Sequence, residues 1–114
     1  MISKELIANV FYGDEADESD ILDIYFEDRD EVVIFWKDHN TDRYNVHELA
    51  DKVKKWAFIE NKYEWFISFK TYGGGCCEIQ DNHTREIKIS FDCDTEQAAI
   101  FKAGKWKLDN KNEN

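Results

Sequence analysis

Proline is absent from this chain of 114 residues, and only five glycines occur. Because proline fixes backbone geometry, its absence leaves no rigid turn to mark the boundary of an element. Long hydrophobic runs are missing as well, since the uncharged stretch at residues 6–13 is far shorter than the ~18 residues that a membrane helix needs. No small-residue cleavage site follows that stretch. We therefore predict neither a membrane-spanning segment nor a cleaved signal.

Cysteine is limited to three residues, an odd number in a chain without an export signal. This usage indicates reduced thiols and predicts a cytoplasmic protein. The formal net charge of −10 disfavours direct binding to nucleic acid and to anionic membranes.

Catalytic and cofactor signatures are also missing. The glycines at positions 73–75 are not followed by the Lys-Ser/Thr pair of a phosphate-binding loop, so they predict a turn, a bulge or a point where a partner's backbone approaches. His39, His47 and His83 are dispersed and do not repeat at ligand spacing. The sequence therefore predicts no cofactor.

Acidic charge, in contrast, is plentiful and concentrated. Ten of the 25 acidic residues lie between positions 14 and 31, where Arg29 is the single base, so this stretch carries −9. We call these ten residues the acidic segment. They are Asp14, Glu15, Asp17, Glu18, Asp20, Asp23, Glu27, Asp28, Asp30 and Glu31. A concentrated negative surface suits a basic partner, and basic surfaces most often belong to proteins that bind nucleic acid.

Two other interpretations of the acidic segment remain open, and the first is a calcium site of the EF-hand type. An EF-hand loop that starts at Asp14 would need glycine at its sixth position and glutamate at its twelfth, where this chain has Ser19 and Tyr25. The second interpretation is an ordinary solvated surface that serves solubility. A docking surface gains support if residues 21–27 form a strand, because the two acidic ends would then lie ~20 Å apart on one rigid hairpin.

The hydrophobic pattern predicts three helices and five strands in the order α-β-β-α-β-β-β-α. The predicted helices cover residues 4–12, 46–60 and 95–103, the strands cover 21–27, 31–37, 63–72, 76–80 and 85–91, and 38–44 form a loop. Short connections between strands predict a largely antiparallel sheet of about five strands with helices packed on one face, an α+β fold. We expect one domain over residues 1–108 and a polar tail over 109–114.

Alternation within the strands predicts which side chains face out. Residues 21–27 alternate, which places Leu22, Ile24 and Phe26 inward and Tyr25 outward with the acids. Tyr72 ends a strand beside the glycines, and we expect it to be exposed. Tyr25 and Tyr72 therefore join the acidic segment as predicted partner-binding residues. The tryptophans at positions 36, 56 and 65 are predicted to lie in the core.

Three thiols and one histidine supply the remaining candidate chemistry. Cys76, Cys77, His83 and Cys93 are a possible zinc set, but adjacent cysteines point to opposite faces of a strand and chelate one ion poorly. We therefore predict no metal. The alternative is that the cysteines have no chemical role. One of the adjacent thiols would then lie in the core and the other in solvent, with Cys93 as a small hydrophobic residue.

The sequence as a whole predicts an acidic proteinaceous inhibitor rather than an enzyme. Its partner would be a basic, nucleic-acid-processing protein, and the inhibitor would be an immunity protein against a nuclease toxin or a phage-type antagonist of a defence complex. One alternative is a small cysteine-dependent enzyme that uses Cys76 or Cys77 with His83. Another is a small-ligand binding domain that uses the concave face of the sheet.

Overall fold

Two separate three-stranded sheets and three α-helices make up the protein in its computed structural model, which describes residues 2–60 and 64–110. The elements in chain order are α1 (Lys4–Tyr12), a 3₁₀ helix (Glu18–Asp20), β1 (Ile21–Phe26), β2 (Glu31–Trp36), β3 (Thr41–Asn45), α2 (Val46–Glu60), β4 (Glu64–Thr71), β5 (Gly74–Asp81), β6 (Ile87–Cys93) and α3 (Glu96–Asn110). Both sheets are antiparallel, in the orders β1-β2-β3 and β4-β5-β6. The predicted α+β class is confirmed.

The prediction of one sheet of about five strands is wrong. Residues 41–44 belong to the predicted loop at 38–44, but with Asn45 they form β3. The only bulky apolar side chain of this strand is Tyr44, so it lacks a hydrophobic alternation. Helix α2 begins directly after Asn45 and carries the chain away from the first sheet before β4 starts. Each group of three consecutive strands consequently pairs only within itself.

Strand β2 is the centre of the first sheet, as its apolar sequence predicts. Val32, Val33 and Ile34 are fully buried between β1 and β3. A β-bulge interrupts the β1–β2 register between Ile21 and Asp23. Because the extra residue shifts the alternation, Leu22 is exposed, and its predicted inward position is wrong. Phe26, the last residue of β1, is also exposed, so its predicted inward position is wrong as well.

The second sheet places its tryptophan on the outer face. Phe66 is buried opposite Ile79, whereas Trp65 is half-buried beneath the Arg85 guanidinium, 4.3 Å from the ring centroid. The core prediction is therefore wrong for Trp65, and it is confirmed for Trp36 and Trp56. Strand β4 is apolar on both faces, so alternation alone does not say which face packs inward. The predicted strand position of residue 63 lies outside the described residues.

The three helices meet where α3 crosses α1 and α2. A Cβ atom built on Gly104 would lie 2.8 Å from Val53 of α2 and 3.0 Å from Leu6 of α1, so this close crossing requires glycine. The helix runs through Gly104 to Asn110, well past the predicted end at residue 103. The predicted tail starts at residue 109, and positions 111–114 of it lie outside the described residues. Among the described helices, not one is long and apolar enough to cross a membrane.

A buried ion pair joins the second sheet to α3. Lys107 of α3 binds the Glu64 carboxylate, which is 4% exposed, and Lys88 of β6 lies 2.6 Å from its second oxygen. Burial raises the pKa of Glu64, but the bonds from Lys107 and Lys88 outweigh it and hold the pKa below its ordinary value of 4.5. The pair therefore stabilises the fold above pH 4.5, and that contribution is lost as the pH falls through the lowered pKa of Glu64.

Removal of one partner tests this pair. We expect Lys107→Met to lower the free energy of unfolding by about 3 kcal/mol at pH 7, because it leaves a buried carboxylate with only a half-exposed partner. Urea denaturation measures this loss, which should shrink once Glu64 is protonated in acid. Lys55→Met is the matched control, since it breaks the exposed Asp51–Lys55 pair of 3.1 Å and should cost less than about 0.5 kcal/mol. Equal losses in the two variants would contradict a structural role for the buried pair.

Candidate functional site

The acidic segment lies on the surface of the first sheet and the loop that precedes it. Eight of its ten residues are exposed, and Asp20 and Glu31 are half-buried. One group of acids occupies the loop and 3₁₀ helix before β1, and a second group occupies the turn at residues 27–30. The six residues of β1 separate these groups by ~20 Å, with Asp23 exposed between them.

Several of these carboxylates hold the local backbone in place. Asp17 caps the 3₁₀ helix by accepting a hydrogen bond from the Ser19 amide (2.8 Å), and Asp20 accepts one from the Asp17 amide (3.0 Å). In the β1–β2 turn, Asp28 Oδ1 accepts from the amides of Asp30 (2.9 Å) and Glu31 (3.0 Å). The acidic loop and the acidic turn are therefore ordered by their own side chains.

Two basic residues from outside the segment neutralise part of its charge. Arg43 of β3 binds Glu27 and lies 3.6 Å from Glu31, and Lys37 lies 2.6 Å from Asp20. The bond from Lys37 lowers the pKa of Asp20. Adding these two cations to the −9 of the segment leaves −7. Sequence reasoning missed Arg43 because its position was predicted to lie in a loop, whereas β3 places it opposite Val33.

Tyr25 is partly exposed, as predicted, but it also lies directly opposite a buried residue. Its side chain is 44% exposed, while Val33, directly opposite it on β2, is 0% exposed. Arg43 is the other cross-strand neighbour of Val33 on this face. We infer that Tyr25 and Arg43 together cover Val33, so Tyr25 combines an exposed ring edge with a packed ring face.

A cleft of about 610 Å³ separates the tip of the acidic hairpin from the second sheet. The acidic hairpin contributes Phe26 of β1 with Arg29 and Asp30 of the turn, and on the other side β6 contributes Asp92 and the β6–α3 connection contributes Asp94. These two carboxylates extend the acidic surface across the cleft. Sequence reasoning missed them because no pattern along the chain indicates that residues 92–94 lie near residues 26–30.

Tyr72 lies on the second sheet, in the turn between β4 and β5, and is fully exposed. The same turn is close to the cleft, because a Cβ atom on Gly74 would lie 2.2 Å from the carbonyl oxygen of Cys93, a cleft residue. A Cβ atom built on Gly75 would lie 2.2 Å from the amide nitrogen of Glu96, at the start of α3. Gly74 and Gly75 thus accommodate this chain's own backbone at residues 93–96, whereas a Cβ atom on Gly73 would meet nothing within 4 Å.

The adjacent thiols are poorly placed for catalysis. Cys76 and Cys77 are both buried, which corrects the alternative that one of them is exposed. Burial raises the pKa of Cys77 to about 12, and burial together with a hydrogen bond to Asp92 raises the pKa of Cys76. Both thiols are therefore protonated at neutral pH and are weak nucleophiles.

His83 is also remote from both thiols. It lies in the turn beyond Asp81, where its amide donates to Asp81 Oδ1 (2.8 Å). The four residue steps along the strand from Cys77 to Asp81 span ~13 Å, which exceeds hydrogen-bond reach. Within residues 2–60 and 64–110, no group of three His, Cys, Asp or Glu side chains is arranged to hold a metal ion.

Comparison with family models, curated proteins and solved structures gave no match to this chain.

Thiol reactivity tests the description of the cysteines. We expect Ellman's reagent to modify half-buried Cys93 at least ~10-fold faster than Cys76 and Cys77 in the native protein, and all thiols at similar rates in denaturant. Cys93→Ser should abolish the fast phase and serves as the control. Fast modification of the native Cys93→Ser protein would show that a second thiol is accessible.

Proposed function

We propose that this protein is an acidic inhibitor that binds and neutralises a basic, nucleic-acid-processing protein. The observation that carries the proposal is the display of eight exposed carboxylates along one ordered strand, loop and turn. A surface of this kind raises the local concentration of a basic partner and orients it before contact. The carboxylates would stand in for the phosphates of the partner's nucleic-acid substrate.

The same surface carries apolar side chains that suit a tight complex. Charge gives association rate and orientation, whereas affinity depends on a few aromatic or aliphatic anchors that become desolvated. Leu22, Tyr25 and Phe26 of β1 are all exposed, and Asp23 and Glu27 lie next to them along the chain. The cleft beside Phe26 offers a place for a projecting basic side chain between Asp30 and Asp94.

The form of inhibitor we favour is an immunity protein that neutralises a nuclease toxin, with a phage-type antagonist of a defence complex as the second form. Either would act in the cytoplasm, and the three free thiols suit a reducing compartment. The burial of Cys76 and Cys77 and the remoteness of His83 speak against the cysteine-dependent enzyme. The proposal therefore assigns no catalytic residue to this chain.

Affinity capture from the native host, followed by mass spectrometry and an activity assay of the captured protein, tests the proposed function. We expect a basic partner whose nucleic-acid-processing activity falls to background at one equivalent of this protein. An acidic partner, or a basic partner that stays fully active in the complex, would contradict the proposal.

Charge neutralisation tests the steering role of the acidic segment. We expect Glu15→Gln with Glu18→Gln to slow association with the captured partner several-fold at low salt and to reduce the salt dependence of the rate. Stopped-flow fluorescence measures both effects. Glu48→Gln with Glu86→Gln is the matched control, because it removes two exposed glutamates outside the segment. Similar slowing in both pairs would mean that net charge, and not the acidic segment, controls the rate.

Substitution of Tyr25 tests the predicted anchor. We expect Tyr25→Ala to weaken partner binding by about 2 kcal/mol or more, which calorimetry measures. A smaller loss of stability should accompany it, because Val33 loses part of its cover. Tyr25→Phe keeps the ring and should leave stability within about 0.5 kcal/mol of the native protein. Unchanged affinity in Tyr25→Ala would assign this side chain to packing alone.

A further inference from the structure

A second pocket, remote from the cleft, lies between α1 and α2. It measures about 450 Å³, within the usual size range of small-molecule sites. Helix α1 and the residue after it contribute one wall, and α2 contributes the other. The lining residues are Asn9, Val10, Phe11, Gly13, Lys52, Lys55, Trp56 and Ile59. The acidic segment contributes no residue to this lining.

Two of these lining residues carry buried polar atoms without a hydrogen-bond partner, Asn9 Oδ1 and Trp56 Nε1. Their side chains are almost entirely buried, at 4% and 7% exposure. Asn9 Nδ2 donates to the Ala16 carbonyl oxygen (3.2 Å), and this bond fixes the amide so that Oδ1 is the atom left over. One unused acceptor and one unused donor thus lie on residues that line the same pocket, and each costs free energy while it stays unpaired.

The two atoms are complementary to a ligand edge that both donates and accepts. Asn9 Oδ1 needs an N–H or O–H donor, and the indole N–H of Trp56 needs an acceptor. Val10, Phe11 and Ile59 supply apolar walls, which suit a flat ring. We propose that this pocket binds a nucleoside through its base, with a ring N–H or exocyclic amino group on Asn9 and the adjacent carbonyl or ring nitrogen on Trp56.

The charges around the pocket favour a neutral nucleoside over a nucleotide. Lys55 is paired with Asp51 at 3.1 Å, so it adds little net charge. The ammonium of Lys52 lies 5.7 Å from the centroids of both the Phe11 and Tyr44 rings, which leaves about one net positive charge beside the pocket. A phosphate monoester carries up to two negative charges and would approach a chain of net charge −10.

Entry of the ligand requires a shift of covering side chains, because neither unpartnered atom touches solvent. Ile59 is 74% exposed, and Lys52 and Lys55 are exposed on the same helix. Exposed side chains change rotamer quickly, so the pocket can open without movement of a strand.

Nuclear magnetic resonance of the indole N–H signals tests the site in the full chain, and Trp56→Phe identifies the Trp56 signal by its loss. On titration with uridine, we expect a saturable shift of this signal, since its N–H gains an acceptor. The ligand control is 3-methyluridine, which lacks the ring N–H that Asn9 Oδ1 would accept and should bind at least ~10-fold more weakly. The protein control is Glu15→Gln with Glu18→Gln, which should bind uridine as the native chain does.

Three results would overturn the proposal. The first is the absence of a saturable shift with uridine and with adenosine up to about 10 mM. The second is equal binding of uridine and 3-methyluridine, which would remove Asn9 from the site. The third is a bridging water that protects the Trp56 N–H and that neither nucleoside displaces. Because the site shares no residue with the acidic segment, these results leave the proposed inhibitor function untouched.

Discussion

The close crossing of α3 with α1 and α2 at Gly104 is the contact on which the rest of the structure depends. The two sheets do not share a strand, and each contacts the helices instead: α1 and α2 contact β1 and β3, while α2 and α3 contact β4, and α3 also contacts β5 and β6. A side chain at Gly104 would push α3 away from Leu6 and Val53. Such a shift would move the second sheet relative to the first, because α3 is bound to it through Glu64 and Lys107.

This arrangement explains how a strongly charged surface coexists with a stable fold. The acidic segment flanks β1 at both ends and includes Asp23 on it, and β1 is an edge strand whose neighbour β2 is buried on both faces. Repulsion among the carboxylates therefore acts on side chains and turns that are held by a rigid central strand. Lys37 reduces that repulsion at Asp20, and Arg43 reduces it at Glu27 and Glu31.

Local signals in the sequence predicted the local features of the structure and failed for features that depend on distant residues. Helix α1 covers the predicted residues 4–12, and Ser3 caps it, with its hydroxyl accepting from the Leu6 amide (3.2 Å). The exposure of Tyr25 and the burial of Trp56 also followed from alternation and helical spacing. Strand β3 was missed because its stability comes from pairing with β2, and a polar five-residue stretch carries no sign of that partner.

The candidate sites also divide into features that local sequence signals predicted and features that depend on distant residues. The exposure of the acidic segment was predictable from its charge, because carboxylates are rarely buried without partners. The cleft was not, since Asp92 and Asp94 reach it through the folding of a separate sheet. The pocket between α1 and α2 was not predictable from the sequence for another reason. Asn9 is a polar residue in a helix whose inward side chains include Leu6 and Ile7, and only the packing of the folded chain shows that its amide oxygen is buried.

The segregation of charge gives the molecule an electric dipole moment. Nine of its ten net negative charges come from one 18-residue stretch, whereas the other 96 residues together carry −1. In the field of a positively charged body, such a molecule experiences a torque as well as an attraction, and it rotates while it is still separated by several water layers. The first collision is thereby biased toward the acidic segment.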